Sequence, residues 1–250
     1  MWIGSISNMP TVLERTLIVM PAYNEEEAVG DVVREVLLKL PGVGCLVVDD
    51  GSMDRTSRVA AEAGATVAVL PFNMGVGGAM RLGFKYALMH GFENVVQIDS
   101  DGQHDPSSVP SMLVKLQTHD LVIGARFAGE GDYTARGPRR WAMSVLSAIL
   151  SRTTRTKLSD TTSGFKASGP RAVTLFANHY PAEYLGDTIE ALVIASRSGC
   201  RIVQVPVAMR PRAGGQPSHN PLKAATYLGR AFIALGFALI RPLSSLQTKS

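Results

Sequence analysis

Three aspartates fall within the short segment VVQIDSDGQHDP at residues 95–106, where an apolar run ends. Asp99 and Asp101 are two positions apart, so in an extended segment their carboxylates point to the same side. Carboxylate oxygens are ligands that Mg²⁺ and Mn²⁺ prefer, and Mg²⁺ is commonly held by one or two carboxylates together with substrate phosphates. The spacing therefore indicates a divalent metal site, with Gln103 as a candidate third ligand. His104 is either a further ligand or a hydrogen-bonding loop residue, and Asp105 is expected to be a turn residue.

Other interpretations of the same segment remain open. A phosphatase nucleophile also fits the letters DSDG, although that motif is expected after the first strand rather than the fourth. The segment GVGGA at residues 75–79 resembles a dinucleotide-binding glycine loop, and Asp99 follows it at about 20 residues. Such a loop normally follows the first strand of its unit, however, and here strand one leads into PAYNE. A purely structural cluster of acids is the remaining alternative.

Hydrophobic periodicity predicts the elements that position these residues. Apolar runs typical of buried strands alternate five times with segments of helical spacing. The runs cover residues 16–23, 44–52, 65–70, 94–99 and 120–126. This alternation predicts an α/β fold with a mostly parallel central sheet and helices on both faces. Ligands of such sheets bind beyond the carboxyl ends of the strands. Polar residues follow four of the predicted strands, namely Tyr23–Glu25, Asp49–Ser52, Asp99–Asp101 and Arg126.

Charge is distributed unevenly along the 250 residues, whose net charge is +4. Residues 191–250 contain eight Lys and Arg but no Asp or Glu. Such a segment is suited to a phosphorylated substrate or an anionic membrane. The basic side chains expected to bind such an anionic partner are Arg210, Arg212, Lys223 and Arg230. Nucleic acid is disfavoured as a partner, because no basic platform studded with aromatic residues is present.

The apolar segment AFIALGFALI at residues 231–240 is too short to cross a bilayer, which needs about 20 residues. It predicts an amphipathic C-terminal helix that packs on the domain or a partner subunit, or lies at a membrane surface. We therefore expect one domain at residues 1–212, followed by a basic loop and helix at 213–250. Cys45 and Cys200 lie in apolar runs without metal-binding spacing, which predicts buried free thiols and the cytoplasmic side.

Six motifs occur in a consistent order along the chain. They are PAYNE (21–25), VVDDGSMDRT (47–56), NMGVGGAMRLG (73–83), DSDGQHDP (99–106), GAR (124–126) and DTTSGFK (160–166). Together they resemble family 2 glycosyltransferases, most closely the dolichol-phosphate-mannose synthase-like, or polyprenyl-phosphate sugar synthase, branch. The resemblance covers residues 16–218. It implies a GT-A fold, a GDP- or UDP-sugar donor, Mg²⁺ or Mn²⁺, inversion at the anomeric carbon, and a polyprenyl phosphate acceptor reached by peripheral contact with the cytoplasmic membrane face.

The resemblance also implies roles for individual residues. Those assigned to the nucleotide are Pro21, Tyr23, Glu25, Asp50, Asp99 and Ser100. Those assigned to the metal are Asp99, Asp101 and Gln103, and catalysis is assigned to Asp101 and Arg126. Phosphate or acceptor binding falls to Lys166, Arg212 and Ser218. Two departures stand out. Lys166 replaces the arginine that family members often carry, and so lacks the bidentate fork. The late R-x-x-G-x-S-K element reads RAGGQPSHN, with its serine one place late and no lysine.

The acceptor decides whether a general base is needed. A lipid phosphate is already anionic at pH 7, whereas a sugar hydroxyl must lose a proton to a carboxylate. Asp160, Asp187 and Glu190 are the candidate bases. Asp187 and Glu190 are favoured because they lie three residues apart on one face of a predicted helix, where helix capping is the competing explanation. A saccharide or small-molecule acceptor, a non-catalytic sugar-nucleotide-binding module and a homo-oligomer all stay open.

Overall fold

The computed structural model describes residues 9–125, 148–152, 163–181 and 187–210, together with residues 154, 156, 158 and 160. Its strands are β1 Thr16–Ala22, β2 Gly44–Asp49, β3 Thr66–Val69, β4 Asn94–Gln97, β5 Leu121–Ala125, β6 Lys166–Ser168 and β7 Ile202–Pro206. Its helices are α1 Met9–Glu14, α2 Val29–Lys39, α3 Thr56–Glu62, α4 Gly75–Met89, α5 Val109–Leu116, α6 Pro170–His179 and α7 Asp187–Arg197. A 3₁₀ turn, Pro106–Ser108, precedes α5.

The strands form one sheet in the order β3-β2-β1-β4-β6-β5-β7. Every described pairing is parallel except those that β6 makes with β4 and β5. The predicted mostly parallel α/β sheet is therefore confirmed. Because β6 runs in the opposite direction, its N-terminal end reaches the edge of the sheet at which β4 and β5 end. We call this edge, where the parallel strands finish, the carboxyl edge.

Alternating side chains of the strands supply two apolar cores, one on each face of the sheet. Leu17 and Val19 of β1 pack in the core beneath α4, α6 and α7, whereas Ile18 and Met20 pack in the core beneath α2, α3 and α5. Burial on both faces explains why β1, β2, β4 and β5 read as continuous apolar runs. The ends of the strands are then the places where polar groups gather, and the carboxyl edge carries the predicted site residues.

Several sequence predictions lie outside the described residues. They concern Arg126, Arg212, Ser218 and the C-terminal helix, so the division into residues 1–212 and 213–250 stays a prediction. Within the described ranges, no helix combines the length and apolar character needed to cross a membrane. Cys45 and Cys200 are buried and unbonded to each other, which confirms the expected free thiols. Burial raises the pKa of the Cys45 thiol to about 12.

Candidate active site

The loops that follow β1 and β2 are joined by hydrogen bonds between backbone and side chains. The Asn24 N–H donates to Ser52 Oγ at 2.9 Å, and the Met53 N–H donates to Asn24 Oδ1 at 2.9 Å. The Asp50 N–H donates to the Ala22 carbonyl at 2.8 Å. Asn24 has a φ of +53°, a left-handed conformation that asparagine tolerates better than most residues. The motifs PAYNE and DDGS therefore form one surface at the carboxyl edge.

Asp50 connects this surface to a third loop, which leads into α4. Its Oδ1 accepts from the Met74 N–H at 2.7 Å, and its Oδ2 accepts from the Gly75 N–H at 2.8 Å. Burial raises the pKa of the Asp50 carboxyl, whereas these two hydrogen bonds act in the opposite direction. Gly51 packs against the same loop, with a φ of +74°. The Asp50 carboxylate thus fixes the start of α4 and is buried beneath the loops.

The acidic loop after β4 is attached to the end of β1. The buried Ser100 hydroxyl donates to the Pro21 carbonyl at 3.1 Å. Asp101 is buried, and its Oδ1 accepts from the Gln103 N–H at 3.0 Å. Gly102 lies between them with a φ of +78°, which lets the loop turn sharply. These bonds bring the predicted nucleotide residues and the predicted metal ligands to the same part of the carboxyl edge.

Asp99 is the most accessible carboxylate of this loop, with 38% of its side chain exposed. Its backbone N–H donates to His104 Nδ1 at 3.0 Å, and its Oδ2 lies 3.6 Å from His104 Nε2. Gly164, which precedes β6, faces the same carboxylate: an ideal Cβ there would lie 2.9 Å from both oxygens. The antiparallel direction of β6 therefore places the glycine of the DTTSGFK motif against Asp99, the leading metal-ligand candidate.

Four charged side chains form a cluster beside the acidic loop. Arg210, just beyond β7, lies 2.8 Å from Glu35 Oε1 and 2.7 Å from Asp105 Oδ2. Lys39 lies 2.8 Å from Glu35 Oε1 and 3.1 Å from Asp105 Oδ1. Burial opposes ionisation of Asp105, but hydrogen bonds from Ser107, Arg210 and Lys39 outweigh it and hold the carboxyl pKa below its ordinary value. The guanidinium of Arg210 therefore stabilises the acidic loop. The sequence had instead predicted that Arg210 faces an anionic acceptor.

The remaining predicted residues occupy varied positions. The side chain of Tyr23 is exposed at the carboxyl edge, and the Glu25 N–H donates to Thr56 Oγ1 at 2.9 Å. Lys166 is only 5% exposed, because it lies at the start of β6 under α4 and α6, so its phosphate-binding role stays a prediction. Asp187 and Glu190 are in the first turn of α7. Since α7 leads into β7, which ends at the carboxyl edge, that turn begins on the same side of the sheet.

Oxygen atoms dominate the loop, which suits Mg²⁺ or Mn²⁺ rather than a soft metal. Within the described ranges, no group of three or more His, Cys, Asp or Glu side chains is arranged to hold a metal ion. The sequence-based hypothesis uses two carboxylates and an amide, with phosphate oxygens from the substrate completing the ligand set. Asp99 and Asp101 fit that set in chemical type and in their position on one loop.

The fold and the residues at its carboxyl edge define a glycosyltransferase of the GT-A type. The chain belongs to the family described as Glycosyl transferase family 2, whose model matches residues 17–175. The order of the motifs along the sequence predicts this family, and the match confirms that prediction.

Relatives and solved structures agree with this assignment. The chain is 33% identical over 214 residues to undecaprenyl-phosphate mannosyltransferase of Micrococcus luteus, covering 81% of this chain and 86% of the relative. It is 32% identical over 169 residues to polyprenol monophosphomannose synthase of Mycolicibacterium smegmatis, covering 62% and 61%. A crystal structure of glucosyl-3-phosphoglycerate synthase from Mycobacterium tuberculosis with Mn²⁺, UDP-glucose and phosphoglyceric acid superposes with a TM-score of 0.70 at 23% identity, covering 94% and 85%. At that identity, the likeness shows the fold.

The sequence does not predict the positions of two residues of the site. The role of His104 is undecided from the sequence alone, and Gly164 stands there only as part of the DTTSGFK motif. No local signal indicates the burial of His104, because its stacking partner Phe165 is distant in the sequence. The signal for Gly164 was the pair SG directly before a strand, where a missing side chain often marks a close approach.

Proposed function

We propose that this glycosyltransferase moves a hexose, such as mannose or glucose, from a GDP- or UDP-sugar onto a polyprenyl phosphate at the cytoplasmic face of the membrane. The observation that carries the proposal is that hydrogen bonds join the loops at the carboxyl edge. Asp50 joins the loop after β2 to the start of α4, and Ser100 joins the acidic loop to the end of β1. The relatives named for mannosyl transfer to undecaprenyl phosphate and for polyprenol monophosphomannose synthesis support the acceptor.

The nucleoside is expected to bind over the joined loops after β1 and β2. Tyr23 presents an exposed ring that is suited to packing against a base. Pro21, near the end of β1, and Glu25, in the loop after β1, flank Tyr23 in the sequence. Both carboxylate oxygens of Asp50 already accept backbone hydrogen bonds, so in this proposal Asp50 acts on the base or ribose chiefly by fixing the loop before α4.

Asp99, Asp101 and Gln103 would hold Mg²⁺ or Mn²⁺ beside the donor diphosphate. Their oxygen donors fit a hard cation, and Gly164 leaves the Asp99 carboxylate the space in which it lies. When bound, the metal neutralises the charge of the departing nucleoside diphosphate, which favours breaking the bond between sugar and phosphate. The residues themselves supply orientation: the Gln103 N–H fixes one oxygen of Asp101, and His104 fixes the backbone at Asp99.

A lipid phosphate acceptor brings an oxygen that is anionic at pH 7, so the chain must position that oxygen rather than deprotonate it. Basic and hydroxyl groups would hold the phosphates through charge-assisted hydrogen bonds. The residues assigned to this task are Lys166, Arg212 and Ser218, whereas Arg126 is assigned to the departing nucleoside diphosphate. Asp187 and Glu190 would act as a base only toward a hydroxyl acceptor.

We further propose that the basic residues 213–250 make the peripheral membrane contact. Lys and Arg near an anionic lipid surface contribute about 1 kcal/mol each. Co-sedimentation with vesicles containing anionic lipid checks this, with the full chain compared with a chain that ends at residue 221. Binding that is unchanged by the deletion contradicts the membrane role of this segment.

A transfer assay tests the acceptor and the donor together. The protein is incubated with Mn²⁺ or Mg²⁺, a panel of GDP- and UDP-sugars, and one of three acceptors: polyprenyl phosphate, a soluble saccharide or phosphoglyceric acid. The proposal predicts release of nucleoside diphosphate and formation of a glycolipid with the lipid phosphate alone. Turnover on a soluble acceptor without turnover on lipid phosphate contradicts the proposed acceptor. Nucleotide binding without turnover on any acceptor indicates a non-catalytic module.

A further inference from the structure

His104 is a buried side chain that packs between the acidic loop and β6. Its imidazole stacks on the ring of Phe165, with centroids 4.8 Å apart and planes 15° from parallel. Only 2% of the side chain is exposed. The ring therefore has one position, and the two nitrogens have fixed directions relative to the loop.

The hydrogen bonding of His104 determines what each nitrogen does. Because Nδ1 accepts the Asp99 N–H at 3.0 Å, Nδ1 carries no proton and the neutral ring carries its proton on Nε2. That Nε2–H faces Asp99 Oδ2 at 3.6 Å, which is beyond a direct hydrogen bond but within electrostatic reach. One imidazole therefore acts on both the backbone and the carboxylate of Asp99, and Nδ1 is not available as a metal ligand.

The segment after β7 holds His104 from the other side. His104 and Met209 form an isolated antiparallel bridge, and the Arg210 N–H donates to the Gln103 carbonyl at 2.9 Å. The Arg210 guanidinium also pairs with Asp105, the next residue of the loop. The loop is thus fixed on both sides of His104, and a change in the ring is transmitted to Asp99 rather than absorbed by the loop.

We infer that His104 is a positioning residue that orients Asp99 for the divalent cation, chiefly through the hydrogen bond that Nδ1 accepts from the Asp99 N–H. The inference rests on the proposed function, because it takes Asp99 as a ligand of the metal that binds with the nucleotide. Replacing a residue that contacts a metal ligand, but not the metal itself, typically weakens metal affinity about 10- to 100-fold. His104 itself contacts neither metal nor substrate in this account.

Two substitutions separate the contribution of the stacked His104 ring from the contribution of its nitrogen atoms. His104→Phe keeps a ring that can stack on Phe165 and removes both nitrogens. His104→Asn removes the ring and keeps an amide oxygen close to the position of Nδ1, where it can accept the Asp99 N–H. His90→Phe is the matched control, because His90 is exposed and stacks on Tyr86 at the far end of α4, away from the carboxyl edge.

Mn²⁺ affinity is measured by electron paramagnetic resonance in the presence of UDP or of GDP, with thermal unfolding of the metal-free proteins recorded in parallel. We expect His104→Phe to weaken Mn²⁺ binding about 10- to 100-fold, His104→Asn to recover most of that loss, and His90→Phe to match the wild type. A purely structural role would lower the unfolding temperature without this split between Phe and Asn. Wild-type Mn²⁺ affinity in His104→Phe, or equal losses in both variants, overturns the inference.

The readout separates this inference from the proposed function, because Mn²⁺ binding needs no turnover. A wild-type protein that binds Mn²⁺ in a His104-dependent manner but transfers no sugar upholds the inference and contradicts the function. A wild-type protein that transfers sugar while His104→Phe binds Mn²⁺ normally upholds the function and contradicts the inference. Absence of Mn²⁺ binding to the wild type with either nucleotide also overturns the inference.

Discussion

Replacing Gly164 with alanine tests whether the Asp99 carboxylate must occupy its observed position. The new Cβ would lie 2.9 Å from both Asp99 oxygens, roughly half an ångström inside the optimal separation of about 3.5 Å. Gly164 does not have a left-handed φ, so alanine causes no backbone strain. The side chain of Asp99 is 38% exposed and can turn outward. The cost therefore falls on the orientation of Asp99 and much less on folding.

The size of the effect follows from the displacement. A misplacement of 1 Å in a catalytic site can cost about 100-fold in rate, so half that shift predicts roughly tenfold lower kcat/KM. The assay is nucleoside diphosphate release at several Mn²⁺ concentrations, with the unfolding temperature as a check on the fold. Mn²⁺ affinity should fall in parallel with the rate.

Gly169→Ala is the matched control for this experiment. Gly169 follows β6, and a Cβ there would meet its nearest atoms at 3.6 Å, an ordinary contact. We expect wild-type activity and nearly wild-type stability from this variant. Wild-type kcat/KM and Mn²⁺ affinity in a folded Gly164→Ala protein would refute the reasoning about Asp99.

Two further predictions concern stability. Gly51→Ala should destabilise the protein by about 1–3 kcal/mol more than Gly91→Ala. Both glycines have a φ of +74°, but a Cβ at Gly51 would lie 2.8 Å from a backbone atom, whereas a Cβ at Gly91 would meet nothing within 4 Å. Equal free energies of unfolding in urea for the two variants would contradict this prediction. The Asp105 pKa is depressed in the folded state. Its ion pairs therefore stabilise the folded protein at pH values above the ordinary carboxyl pKa of about 3.9, and this stabilisation is lost as the pH falls below that value. Asp105→Asn keeps an oxygen that can accept the Ser107 N–H, and it should show a weaker loss of stability between about pH 5 and pH 3. Parallel pH profiles for variant and wild type would refute the role of this charge.

Local patterns in the sequence determine much of this fold. The strands β1 to β5 are apolar runs and the helices between them have helical spacing, so both could be predicted within a few residues. The direction of β6 could not, because three residues pair with strands that are far away in the chain. Helix α6 was also not predicted, although Gly169 and Pro170 are a recognisable start for a helix.

The site divides in a similar way. The spacing of Asp99 and Asp101 and the polar ends of the strands predict which loops gather at one edge. The partners within that edge depend on tertiary packing. Asp50 receives its hydrogen bonds from a loop that lies 24 and 25 residues away, and Arg210 pairs with Glu35 across 175 residues. Charge alone assigned Arg210 to the acceptor, because no local pattern indicates such a distant partner.

Asp101→Asn tests the central claim most directly, because it removes one charge from the acidic loop with almost no change in size. Wild-type and variant proteins are incubated with Mn²⁺, the preferred nucleotide sugar and polyprenyl phosphate, and the glycolipid is quantified by mass spectrometry. The account predicts glycolipid from the wild type, none above background from a folded Asp101→Asn protein, and none from the wild type after chelation of the metal. Glycolipid formation by Asp101→Asn at the wild-type rate would contradict it.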